Sequence, residues 1–254
     1  MPMHAPSFNL AGRRALVTGS SQGIGLALAG ALAAAGAQVT LNGRDPARLA
    51  AAAARLRAAG LTDVATAAFD VTDEASVQAA SAGLGVVDIL VNNTGIHRRG
   101  PLETMPLADW EAVLKTNLTS AFLVARAVAP GMIGRRSGKI INVCSLMSDL
   151  ARPTTGNYAA AKGGLKMLTR AMCAEWAKYN VQVNGLAPGY ILTDLTQPLA
   201  ADPQFDAWIK GRTPAGRWGS AGDLTGACVF LASPAADFIN GQILTVDGGL
   251  SAVI

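Results

Sequence analysis

A short apolar run, Ala15-Leu16-Val17-Thr18, stops at a glycine, and a long Ala/Leu-rich segment begins at Ile24. Between them lies Thr18-Gly19-Ser20-Ser21-Gln22-Gly23-Ile24-Gly25, and a second apolar run comes at Gln38-Val39-Thr40-Leu41-Asn42. Strand, glycine turn, helix and strand in that order make a βαβ unit with a right-handed crossover. That unit commits the chain to a parallel sheet covered by helices. The glycines let the backbone bend tightly and approach a pyrophosphate, which then rests on outward-pointing N–H groups at the helix N-terminus. The spacing differs from G-x-G-x-x-G, but the mechanics are the same. A plain turn would carry the same residues.

The residues just after the second strand bear on the nucleotide. Sites that prefer NAD place an acidic residue there to accept from the ribose 2′-hydroxyl. This chain has Gly43 and Arg44 instead. No carboxylate stands where it would repel a 2′-phosphate, and a guanidinium is present to grip one, with Ser20 or Asn42 assisting. NADP(H) is the preferred expectation and NAD(H) the alternative, since a solvated arginine at a helix start looks identical. Asp45 is expected to cap a helix over residues 46–59.

The alternation continues along the chain. Runs at 65–69, 87–91, 139–145, 181–187 and 242–246 read as strands three to seven. Polar or glycine-containing segments close them: Asp70-Val71, Asn92-Asn93-Thr94-Gly95, Ser145 and Pro188-Gly189. Helices are expected after a Thr72 or Asp73 cap and over 110–128, 157–179 and 221–231. Segment 190–219, with Pro198, Pro203 and Pro214, reads as an irregular substrate lid. No linker or repeat interrupts the pattern. The expected fold is a single α/β domain over 1–254, a Rossmann-type doubly wound seven-stranded parallel sheet with helices on both faces. Ligands of such sheets bind outside the carboxyl ends of the strands.

Composition narrows the function classes. Half the residues are hydrophobic and 15% are charged, which excludes a disordered chain. The +4 net charge is spread over scattered residues and the pairs Arg13-Arg14, Arg98-Arg99 and Arg135-Arg136. No basic stripe forms, so a nucleic-acid partner is not expected. Cys144, Cys173 and Cys228 are widely spaced in apolar surroundings, and only His4 and His97 offer imidazoles. The expectation is buried thiols in a reducing cytoplasm and no metal site. Residues 1–14 lack the apolar core of a signal peptide. The least polar run, 23–37, is shorter than the roughly 20 residues of a membrane span, so no membrane partner is expected.

Tyr158-Ala159-Ala160-Ala161-Lys162 places a phenol and an ammonium on one helix face. The charge favours the phenolate, which suits a proton-transfer centre near neutral pH. Two surface residues can share this spacing without function, just as Asn117, inside the helix over 110–128, can be a satisfied packing residue.

The combined set, Thr18-Gly19-x-x-x-Gly23-x-Gly25, Asn92-Asn93-x-Gly95, Asn117, Ser145, Tyr158-x-x-x-Lys162 and Pro188-Gly189, resembles the short-chain dehydrogenase/reductase family over nearly the whole chain. One departure is Thr94, where the family usually has alanine. Several passages resemble more narrowly a group within the family that acts on sugar acids: Asn142-Val143-Cys144-Ser145-Leu146-Met147-Ser148, Lys166-Met167-Leu168-Thr169-Arg170, Leu186-Ala187-Pro188-Gly189-Tyr190 and Arg212-Thr213-Pro214-Ala215-Gly216-Arg217-Trp218-Gly219. The run Asn93-Thr94-Gly95-Ile96-His97-Arg98-Arg99 is similar too, with His97 where that group commonly has glutamine.

The resemblance implies an oxidoreductase interconverting a secondary alcohol and a ketone by hydride transfer. Tyr158 is implied as the proton donor or acceptor. Lys162 would tune it and hold the nicotinamide ribose, Ser145 would bond the substrate oxygen, and Asn117 would hold a water linking Lys162 to solvent. Implied cofactor contacts are Gly19, Ser20, Ser21, Gln22, Gly23, Ile24 and Gly25 in the turn, with Asn42, Arg44, Asp70 and Val71. Asn93, Thr94, Gly95, Tyr158, Lys162, Pro188, Gly189, Ile191 and Thr193 complete that set. Implied substrate contacts are Ser145, Met147 and Tyr158. Arg98, Arg99, Arg152 and Arg212 are candidates to grip a carboxylate. The alternatives are a family reductase for a 3-ketoacyl thioester, a steroid or another keto-sugar acid, or a nucleotide-binding regulator without catalysis. A homotetramer is also implied, with the helices around Asn117 and Tyr158 and residues 247–254 at its interfaces.

Overall fold

The computed structural model describes residues 7–194 and 196–254. His4 lies outside them. In chain order the elements are β1 (Arg14–Val17), α1 (Gly23–Ala34), β2 (Gln38–Gly43), α2 (Pro46–Ala58), β3 (Val64–Ala68), α3 (Glu74–Leu84) and β4 (Ile89–Asn92). Then come α4 (Leu107–Leu114), α5 (Ser120–Arg135), β5 (Gly138–Val143), α6 (Gly156–Trp176) and β6 (Val181–Pro188). The chain finishes with α7 (Gln197–Ala200), α8 (Pro203–Arg212), α9 (Thr225–Ala232) and β7 (Ile243–Val246).

The seven strands form one sheet in the order β3-β2-β1-β4-β5-β6-β7, every neighbouring pair parallel. Successive strand residues point to opposite faces, so each apolar run supplies two cores. Ala15, Val17, Ile89 and Val91 face one way, against Leu28, Leu32, Leu49, Cys228 and Leu231 from α1, α2 and α9. Leu16 and Leu90 face the other, against Val77, Leu123, Val128, Met132 and Met172 from α3, α5 and α6. The order reverses between β1 and β4, which opens a crevice at their carboxyl ends.

Helix starts obey their caps. Asp45 accepts from the N–H groups of Ala47 and Arg48 at 2.9 and 3.2 Å, and Asp73 accepts from Ala75 at 3.0 Å. Two expectations change. The 190–219 segment is not irregular throughout, because it contains α7 and α8. Pro198 and Pro203 sit in their first turns, where a missing N–H costs nothing, and Asp202 caps α8 through Gln204 N and Phe205 N. The helix expected at 110–128 instead runs over 107–135, with a π turn, Lys115–Thr119, between α4 and α5. Its 29 residues make it long and apolar enough to cross a membrane, although half of its most apolar window is buried against the domain.

Candidate active site

The glycine turn is built by necessity. Gly19 and Gly23 hold φ of 60° and 58°, in the left-handed region open to glycine. A Cβ on Gly25 would lie 2.5 Å from the Gly19 carbonyl oxygen. Gln22, at the N-cap of α1, makes no side-chain cap bond, so first-turn N–H groups have no side-chain acceptor there. That donor set fits an anionic phosphate group.

Several residues expected at the cofactor prove to brace the turn instead. The Thr18 hydroxyl accepts from Asn93 N at 2.9 Å and Thr94 N at 3.2 Å, and Asn93 Nδ2 donates to the carbonyls of Thr18 and Gly19. Ser20 is fully buried, its hydroxyl donating to Val17 O at 2.7 Å and accepting from Asn42 N. Asn42 spends its amide on Gly19 N, Ala67 O and Phe69 O. Contrary to expectation, neither side chain is free to assist at a 2′-phosphate. Ser21 is the partly exposed hydroxyl beside Gly43. Arg44 is free to serve: its side chain is 79% exposed and reaches only to 4.0 Å from the Asp70 carboxylate. Burial pushes the Asp70 pKa up, but hydrogen bonds from Thr72 and the charge of Arg44 outweigh it and leave a net lowering. Val71 is buried. The Thr94 hydroxyl is buried with no partner among the described residues.

The strand-end and helix residues converge at the neighbouring edge. Ser145 Oγ accepts from Met147 N at 3.1 Å within a tight turn after β5. Lys162, on α6, is buried; its Nζ donates to Val143 O at 2.6 Å and lies 5.7 Å from the centroid of the Tyr158 ring. The Asn117 side chain, in the π turn, accepts from Ile96 N at 2.7 Å and donates to Ile96 O at 2.9 Å.

Ser145, Met147 and Tyr158 line a cleft of about 340 Å³ with His97, Arg99 and Arg152. Tyr190, Thr196, Pro198 and Leu199 also line it, with Pro188 and Gly189. Arg152 donates to the Tyr190 hydroxyl at 3.3 Å and stacks over the Phe205 ring at 4.4 Å. Burial and the neighbouring Arg152 lower the Arg99 pKa. Among the described residues neither arginine has a carboxylate within ion-pair distance.

Two expected carboxylate partners lie elsewhere. Arg98 is exposed and pairs with Asp109 at 3.0 Å instead of lining the cleft. Arg212 donates to Val253 O at 2.9 Å, tying α8 to the last residues of the chain. Ile191 is buried and bridges to Gly219, and Thr193 donates its N–H to the Thr196 hydroxyl at 2.9 Å, with the two hydroxyls 3.2 Å apart. The described residues contain no cluster of His, Cys, Asp or Glu able to hold a metal.

Sequence reasoning overlooked two roles. His97 stacks face to face on Tyr158, with ring centroids 4.5 Å apart and planes at 7°. Asn157 is buried and joins the loop to the helix: its Nδ2 donates to Arg98 O at 2.8 Å and its Oδ1 accepts from Tyr158 N at 2.7 Å. The only signals were His97 in a glutamine position and Asn157 beside the tyrosine.

Residues 19–251 match the protein family described as Enoyl-(Acyl carrier protein) reductase. Over 252 residues the chain is 50% identical to a gluconate 5-dehydrogenase of Gluconobacter oxydans (strain 621H), covering 98% of each. It is 47% identical over 251 residues to a 5-keto-D-gluconate 5-reductase of Escherichia coli (strain K12), covering 97% of this chain and 98% of the relative. Among solved structures, a gluconate 5-dehydrogenase from Burkholderia cenocepacia J2315 in complex with NADP and tartrate superposes with a TM-score of 0.95 at 52% identity, over 98% of this chain and 99% of that one.

Proposed function

The chain belongs to the short-chain dehydrogenase/reductase family of oxidoreductases, and from that premise we propose that it interconverts D-gluconate and 5-keto-D-gluconate with NADP(H). One observation carries the substrate class. Arg99 and Arg152 line the cleft with Ser145 and Tyr158, and among the described residues no carboxylate lies within ion-pair distance of either. A sugar acid brings that carboxylate, and guanidinium groups match its geometry.

Each residue's chemistry stems from its contacts. The Gly19–Gly25 turn and the α1 N-terminus would hold the pyrophosphate, and Arg44 with Ser21 would hold the 2′-phosphate. When bound, the nicotinamide supplies the hydride in reduction and accepts it in oxidation. Tyr158 gives its phenolic proton to the carbonyl oxygen in reduction and takes a proton from the hydroxyl in oxidation. Ser145 accepts from Met147 N, so its own O–H remains to bond that same oxygen where charge develops. Lys162 uses one N–H on Val143 O and keeps two for a ribose and for holding positive charge beside Tyr158.

A homotetramer in the cytoplasm belongs to the same proposal. Half-exposed apolar side chains on α4–α6, among them Leu107 and Met167, support the first part, and three free cysteines support the second. The test is a substrate panel with both nucleotides: 5-keto-D-gluconate, a 3-ketoacyl thioester and a neutral ketone, with Tyr158→Phe as the inactive control. Preferred turnover of the thioester would overturn the sugar-acid reading.

A further inference from the structure

The imidazole of His97 is held from both sides. Immediately before it, Ile96 is gripped at N and O by Asn117, 2.7 and 2.9 Å away. Immediately after it, Arg98 O accepts from Asn157, whose other amide atom accepts from Tyr158 N. One buried asparagine thus fixes the loop to the π turn, the other fixes it to the first turn of α6, and the His97 ring lies parallel to the Tyr158 ring. Parallel stacking of this kind lets the two rings share one wall of the cleft.

His97 is also short of hydrogen-bond partners. Its Nδ1 is buried and has no partner among the described residues. Buried polar atoms normally find partners, and the His97 imidazole, which lines the cleft, makes no side-chain hydrogen bond among the described residues, so its ring is left to bond a ligand there. Burial and the charges of Arg99 and Arg152 lower the imidazole pKa to about 4, so near pH 7 the ring is neutral and offers one donor and one acceptor. It does not compete with the arginines for an anion. A neutral group with both functions suits an alcohol.

We infer that His97 is a specificity-determining residue whose imidazole hydrogen-bonds a substrate hydroxyl adjacent to the carbon undergoing reduction. The stack on Tyr158 sets the distance, because the hydroxyl it reads must sit next to the oxygen that Tyr158 serves. Arg99 and Arg152 meet the far carboxylate, so the cleft measures a polyol acid at both ends. This inference rests on the sugar-acid reading above.

The test compares two keto acids of equal length, 5-keto-D-gluconate and 5-oxohexanoate, which lacks every hydroxyl. Wild type, His97→Phe and His97→Gln are assayed with NADPH. The phenyl ring preserves the stack and removes the hydrogen bonds, so kcat/KM for 5-keto-D-gluconate falls about tenfold while 5-oxohexanoate changes by less than about twofold. Glutamine, neutral with donor and acceptor, restores most of the preference. An equal loss on both substrates, no loss, or glutamine behaving like phenylalanine overturns the inference. His97→Leu supplies the same comparison where His97→Phe does not fold, as judged by NADPH binding. Wild type that fails to reduce 5-keto-D-gluconate defeats the sugar-acid reading itself. An active wild type with an unchanged substrate ratio in the variants defeats only the role of His97.

Discussion

Asn117 holds the main chain of Ile96 at both N and O, so a helix residue fixes a loop residue 21 positions earlier in the sequence. Removing that grip leaves a half-buried N–H and C=O to find other partners. Asn117→Ala is expected to cost about 1–3 kcal/mol in urea unfolding. It should also raise KM for the keto acid, because the loop beyond Ile96 carries His97 and Arg99. Unchanged unfolding together with unchanged KM would show that the clamp does not position the cleft.

How much of this was legible in the sequence depends on the kind of force involved. The ends of β1, β4 and β6 were readable because those strands are buried, mainly apolar runs that stop at or next to Gly, Asn or Pro, and Asp45 and Asp73 announced their helices by capping chemistry. The glycine turn was readable because only glycine fits at Gly19 and Gly25. The fates of Ser20 and Asn42 were not, because whether a polar strand-end residue faces ligand or backbone depends on a neighbouring strand. Arg98 and Arg99 are adjacent identical residues, and only the loop's path sends one to Asp109 and the other to the cleft. Prolines at 198 and 203 read as breakers and serve as helix starters. The ring stack of His97 on Tyr158 joins residues 61 apart and has no local trace.

The arginines separate by position. Arg99→Ala and Arg152→Ala are each expected to raise KM for 5-keto-D-gluconate about tenfold or more, while KM for a neutral ketone stays near its original value. Arg98→Ala should leave both within about twofold, since its exposed pair with Asp109 contributes little. Steady-state kinetics on the three variants decides the matter. A large KM effect confined to Arg98→Ala would reverse the assignment.

Nucleotide preference is expected to track Arg44. Its guanidinium is exposed and bound to Asp70 only at 4.0 Å, so turning toward a 2′-phosphate sacrifices little. Arg44→Ala should lower kcat/KM for NADPH by about tenfold or more with little change for NADH. Ser21→Ala should act in the same direction more weakly, and Ser20→Ala should instead lower stability. An unaltered NADPH/NADH ratio in Arg44→Ala would remove the arginine from the phosphate site.

His97 contributes a defined piece of the acid response. Its folded pKa, about 4, is below the ordinary histidine value of 6.5, chiefly through burial and then through Arg99 and Arg152. Between those values the unfolded chain binds a proton that the folded one refuses, so stability is present in full above 6.5 and lost as pH falls through about 4. His97→Gln should flatten the fall of the urea midpoint across that interval relative to wild type. Parallel curves for the two proteins would mean that the imidazole is not held neutral.

The π turn at Lys115–Thr119 has a consequence for how this chain can change over time. It fits one extra residue into the rod that runs over 107–135, and one residue is about 100° of rotation. The side chains of α5 that meet the sheet, Leu123, Val128 and Met132, are therefore phased differently from those of α4. Deleting a single residue here would leave a good helix, but it would swing either the core-facing stripe or Asn117 away from its partner. Insertions and deletions elsewhere on the surface can drift, while this helix has to be inherited at its present length.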